Sequence, residues 1–154
     1  MKKVCALVAL CGIPLTLVFA DSKTSVVPEK EQQIAQEKHM DGPKENKGLK
    51  AELLGSVDLG KEFEGMHGRE LRARMVIIEP GGVVAVHQHD SRPGLAFILE
   101  GEVLEHRNDS KESVLRAKGQ IVFENTGMTH WWKNQSKSMV KALVVDIIKS
   151  ETKK

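Results

Sequence analysis

From Lys50 onward, apolar residues fall in short runs separated every eight to twelve positions by turn-forming residues. This spacing is the pattern of an all-β domain. It predicts strands at 51–59, 71–79, 83–89, 95–99, 103–107, 112–116, 121–124, 130–134 and 140–148. The breakers between them are Gly65 to Gly68, Pro80-Gly81-Gly82, Arg92-Pro93-Gly94, Asn108-Asp109-Ser110, Lys118-Gly119 and Asn125 to Gly127. No stretch after residue 50 carries a sustained helical period. So many short strands cover their edges by closing the sheet on itself or by packing it on a second one.

Strand phase then assigns faces. In 71–79, Leu71, Ala73, Met75 and Ile77 alternate with Arg72, Arg74, Val76 and Ile78, and the two arginines are expected on a solvated face. Val83, Ala85, His87 and His89 share one face. In the last strand Asp146 points inward if the odd-numbered set faces out, and the pattern leaves that register open. Phe97 and Phe123 are expected in the core.

Before the barrel pattern the chain has a different character. Residues 21–50 are rich in Lys, Glu, Gln, Ser and Pro, a composition that buries too little apolar surface to order itself. They are expected to form a polar linker or arm, disordered or weakly helical, with a short helix from Pro28 to Met40 whose apolar face is only Ile34 and Ala35. His39 is expected to be solvated. Residues 51–150 are the expected β-domain.

Residues 1–20 read as a secretory signal peptide: Lys2 and Lys3, an apolar run from Val4 to Phe19, and cleavage after Ala20. A periplasmic or secreted location follows, with no stable membrane anchor after cleavage. The whole chain has 23 Lys+Arg against 21 Asp+Glu; removing Lys2 and Lys3 balances the two at 21 each. A mature chain without net charge has no nucleic-acid footprint. Cys5 and Cys11, the only cysteines, leave with the same segment, so thiolate chemistry and disulfides are excluded from the mature protein.

His87 and His89 are one residue apart in a strand, so both imidazoles point to the same face. His130 follows 41 positions later in a second strand-like segment. Neutral imidazoles offer lone pairs at pH 7, and three of them brought together make a divalent-metal site.

Two spaced patterns surround these histidines. Gly81, His87, His89 and Gly101 fit G-x5-H-x-H-x4-E-x6-G, with Gly94 where the glutamate would stand. Gly119, Gly127, His130 and Asn134 fit G-x5-P-x-G-x2-H-x3-N, with Asn125 in place of proline. In both patterns the chain resembles the cupin family over roughly residues 65–148. The resemblance implies a jelly-roll, or double-stranded β-helix, barrel in which His87, His89 and His130 hold a metal. The metal would be a divalent transition ion, with iron foremost among Fe, Mn, Zn, Ni and Cu.

The departure at Gly94 leaves three imidazoles and open coordination positions, and makes the site more positive by one charge. Neither Gln88, Asp90 nor Glu100 is placed to replace the missing carboxylate. Gly94, Trp132 and Arg92 are the candidate pocket residues: Trp132 shares the phase of His130 and would form a wall, whereas Trp131 points away. Arg92 would clamp a carboxylate. No catalytic acid or base is identifiable, and no organic cofactor is implied. Three functions remain open. One is an exported metal-dependent enzyme performing dioxygenase-like oxidation or isomerisation on a small-molecule ligand. The others are a non-catalytic binding or sensing module, and a structural or dimerisation module in which the partner is a second copy.

Overall fold

A computed structural model describes residues 25–37 and 40–150. The expected signal peptide and His39 lie outside the described residues. The order of elements is α1 (Glu29–Glu37), β1 (Lys47–Asp58), α2 (Leu59–Glu62), β2 (Arg69–Gln88), β3 (Gly94–Glu100), β4 (Glu102–Arg107), β5 (Val114–Ala117), β6 (Ile121–Glu124), β7 (Thr129–Lys133) and β8 (Val140–Lys149). The strands form a jelly-roll barrel: one sheet runs β5-β4-β7-β2-β8-β3-β6, and β1 pairs with β2.

The two predicted strands 71–79 and 83–89 are one. β2 runs unbroken through Pro80-Gly81-Gly82, and those residues make a corner instead of an end. Its first half pairs with β8, from Arg69↔Lys149 to Ile78↔Val140, and its second half with β7, from Val83↔Lys133 to Gln88↔Thr129. Gly81, at φ 73°, takes the left-handed conformation the turn requires. The corner is closed by hydrogen bonds from Gly81 N to Asn134 O (2.9 Å) and from Asn134 N to Gly82 O (3.0 Å). One strand therefore changes its neighbour along its length, from β8 to β7. α2 is a single helical turn that the strand pattern did not show, capped by Asp58, whose side chain accepts from Gly60 N at 3.0 Å.

Several predicted faces are inverted. Arg72 and Arg74 are 1% and 0% exposed and point into the barrel, not to solvent. They can be buried because Asp146 is buried with them: in β8 the even-numbered set faces in. Phe123, expected in the core, is 66% exposed, whereas Glu124 beside it is 5% exposed. Phe97 is half-buried between the fully enclosed Ala96 and Ile98. A bulge between Val84 and His87 shifts the phase of β2, so Val84 joins the core on the barrel interior.

The polar arm is also packed. Val27 is part of the core cluster with Val76, Ile78, Val84, Val144 and others. Arg74 Nη1 donates to the carbonyls of Ser25 and Val26, the latter at 3.1 Å. α1 lies where the short helix was expected and packs on β2; Ala35 and Glu31 are buried, and Glu31 pairs with Arg92 just beyond that strand.

Candidate metal centre

β2 carries His87, His89 follows just past its end, and β7 carries His130. His87 and His130 are direct cross-strand partners, so the β2–β7 ladder itself sets two rings side by side. All three are buried. His130 Nε2 lies 3.0 Å from His87 Nε2 and 3.0 Å from His89 Nε2, and the ligand atoms of all three fall within 4.8 Å of one another.

The far nitrogens are all engaged by acceptors. His87 Nδ1 lies 2.8 Å from the carbonyl of Ala85, His89 Nδ1 lies 3.2 Å from that of Arg92, and His130 Nδ1 lies 2.6 Å from Glu105 Oε1. Each Nδ1 therefore donates its hydrogen outward and each Nε2 presents a lone pair to the centre. Trp132 Nε1 also lies 3.3 Å from His130 Nδ1, but the shorter contact to a carboxylate decides where the proton sits.

Three lone pairs converging at this distance repel unless a cation lies between them. Two nitrogens bound at about 2.1 Å and at right angles around one ion stand about 3.0 Å apart. The donor set therefore fits a divalent ion of the first transition row.

Electrostatics agree with the geometry. Burial, reinforced by the neighbouring histidines, pushes His87 well below the usual imidazole range. Burial and the Arg92 charge do the same to His89. Both rings stay neutral donors at physiological pH. Burial alone would raise the Glu105 carboxyl, yet its hydrogen bonds to His130 and Arg116 hold it at about 2. Arg116 Nε reaches Glu105 Oε2 at 2.7 Å, so the carboxylate orients His130 while it is itself held.

Residues 74–146 match the family profile described as a cupin domain. The barrel belongs to the cupin family. The fold of this cupin is similar to a predicted oxalate decarboxylase from Thermotoga maritima, at 20% identity and a TM-score of 0.56, covering 72% of this chain and 95% of that one. It is also similar to the Cnp3 cupin domain of Schizosaccharomyces pombe (17% identity, TM-score 0.52, 70% of this chain and 64% of that one). A third similar structure is KdgF from Halomonas sp., at 15% identity and a TM-score of 0.50, covering 75% of this chain and 92% of that one. These likenesses concern the fold. None of the curated proteins compared with the chain matches it.

Within the cupin barrel the candidate pocket residues have distinct fates. Trp132 is buried, meets His130 edge-on with ring centroids 5.8 Å apart, and lines a cavity of about 30 Å³ with His87, Arg92, Val26 and Val27, among others. Trp131 faces away and stacks on His106 at 3.7 Å. Gly94 is hemmed in: a Cβ there would meet Val145 O at 2.5 Å and Asp146 Cβ at 2.9 Å. Arg92 is buried and occupied, its Nε donating to Glu31 Oε2 at 2.7 Å and its Nη1 to Asp146 Oδ2 at 2.9 Å. Asp146 also accepts from Arg72 at 2.9 and 2.7 Å and from Arg74 at 2.9 Å. Burial works against the ionised Asp146, but three guanidinium groups outweigh it and hold its pKa below the usual value.

Two acidic residues beside the rings escaped sequence reasoning, Glu105 and Glu124. Glu124 lies at the end of β6 with Oε1 3.8 Å from His130 Nε2 and Oε2 3.6 Å from His89 Nδ1, and burial raises its pKa. The available signal was its shared phase with Val122, which is fully enclosed. Ile121 and Phe123 form the more hydrophobic pair in that strand, and they point outward.

Proposed function

We propose that this protein is an exported metal-dependent cupin that acts on a small chelating molecule by oxidation with dioxygen or by isomerisation. The observation that carries this reading is the convergence of three lone-pair Nε2 atoms whose opposite nitrogens are all engaged. A bound transition ion supplies Lewis acidity and, if it is iron, electron exchange with dioxygen. The chain's own residues hold the rings in register through Glu105 and Ala85. The apolar lining from Val27, Val76, Val84, Val144 and Trp132 excludes bulk water, which strengthens every charge inside. Arg92 Nη2, buried and without a hydrogen-bond partner among the described residues, offers a donor to an anionic ligand. Export to the periplasm or beyond rests on Lys2, Lys3 and the apolar run to Phe19.

Metal analysis of the purified protein beside His87→Ala is the first test, with one equivalent expected in the first and none in the second. Iron(II) loaded anaerobically should then consume dioxygen with a member of a panel of thiols, diketones, phenols and small dicarboxylates. Equal metal content in both proteins, or no oxygen uptake and no isomerisation across the panel, would overturn the proposal.

One observation favours a second reading, a non-catalytic binding or sensing module. The cavity beside His87 is small, about 30 Å³, and Val26 and Val27 are part of its lining. A ligand recovered unchanged from the purified protein supports this reading; turnover of that ligand ends it.

A further inference from the structure

We infer that Glu124 supplies the carboxylate of the metal centre, reaching it from β6. The inference rests on reading the three histidines as a metal site. Glu124 Oε2 is buried and has no hydrogen-bond partner among the described residues. A carboxylate oxygen left in that state is costly unless a cation meets it. The nearest uncommitted electron pairs belong to the histidine cluster, where a dication would sit among neutral rings.

The other buried carboxylates around the centre are already paired. Asp146 is shared by Arg72, Arg74 and Arg92, Glu31 is held by Arg92, and Glu105 is held by Arg116 and His130. Glu124 is the remaining carboxylate within reach of the rings among the described residues. Two ligands of one ion bound at about 2.1 Å stand about 3.0 Å apart when adjacent and about 4.2 Å apart when opposite. The 3.8 Å between Glu124 Oε1 and His130 Nε2 falls inside that span.

Space and backbone point the same way. Glu124 and His87 both line the cavity of about 30 Å³, which gives the carboxylate room to turn toward His87. Across the β3–β6 ladder Glu124 pairs with Gly94, where β8 leaves no place for a side chain. Position 124 supplies a carboxylate on the rung where position 94 has no room for one.

The test is titration of the full-length protein with cobalt(II) alone, read by calorimetry and by visible absorption. The wild type should bind one equivalent and His87→Ala none. Glu124→Gln should bind about tenfold more weakly or worse, with an altered cobalt spectrum, and Glu124→Asp should restore part of that spectrum. If the wild type and His87→Ala bind alike, the metal reading itself fails. If His87→Ala loses cobalt while Glu124→Gln matches the wild type in affinity and spectrum, the three-histidine site stands and Glu124 has no part in it. If Glu124→Gln does not fold, a cobalt-soaked crystal of the wild type decides the matter. A Glu124 oxygen within about 2.5 Å of the ion supports the assignment, and one beyond about 3.5 Å overturns it.

Discussion

Two rungs of the same strand carry the buried polar chemistry of this barrel, and they are built to opposite ends. In the first half of β2, Arg72 faces Asp146 across the ladder to β8; in the second half, His87 faces His130 across the ladder to β7. At the first rung, three guanidinium groups converge on one carboxylate, and one of them, Arg92, also reaches Glu31. At the second, every donor hydrogen points outward and every lone pair points inward. The first rung is closed and holds the fold and the N-terminal segment together; the second is left open to a cation. Arg92 joins them, its carbonyl fixing His89 and its guanidinium binding Asp146 and Glu31. Both rungs are polar and buried, so burial alone does not tell a binding centre from a structural one. The direction of the unshared electron pairs does.

The sharpest break of this contrast is Asp146→Ala, which strands three buried cations. It should cost about 3–5 kcal/mol in urea denaturation. A loss below about 1 kcal/mol would mean that the arginine rung is not the fastening described here. Chelation addresses the other rung. Wild-type protein with zinc at a hundredfold excess over its dissociation constant should lose about 3 kcal/mol of stability when EDTA is added, and His87→Ala should not respond. The thermal midpoint measures both.

Acid acts next. Glu105 titrates at about 2 in the fold against an ordinary 4.5, so its folded pKa is depressed. The stability it contributes is complete above about pH 4.5 and is lost as the pH falls toward 2, with about 2 kcal/mol gone by pH 3. Asp146, also depressed, adds loss of the same sign. Urea melts between pH 6 and 3, run in EDTA so that metal release does not contribute, should show this slope, and Glu105→Gln should flatten it. The smallest effect belongs to a residue on neither rung: Phe123→Ser should change stability by less than about 0.5 kcal/mol, because the ring is exposed. A large loss there would place Phe123 in an interface.

The same contrast explains what was legible beforehand. The histidine rung could be read because H-x-H on a strand and a distant third histidine announce themselves by residue type and spacing. The arginine rung could not, because Arg72 and Arg74 alternating with Leu71 and Ala73 look like a solvated face. Nothing local in 71–79 signals that Asp146, more than seventy residues later, makes their burial affordable. Glu124 failed for the same reason. Hydrophobic patterning assumes that the inside is apolar, and it picks the wrong face of a strand wherever the inside is the site. The arm came out as the short helix expected, but its docking was not legible for the same reason, since Val26, Val27 and Glu31 gain partners only from a barrel that receives them.

Residue order alone determined an all-β chain, three histidines able to meet, and the spacing of glycines that lets strands turn between them, because period, turn chemistry and ligand type are local properties. Tertiary structure decided which face of each strand is inside, that one strand pairs with two different neighbours along its length, and that a carboxylate from β6 stands beside the rings. Those outcomes depend on which distant charge arrives to satisfy a buried group, and no local pattern carries that information.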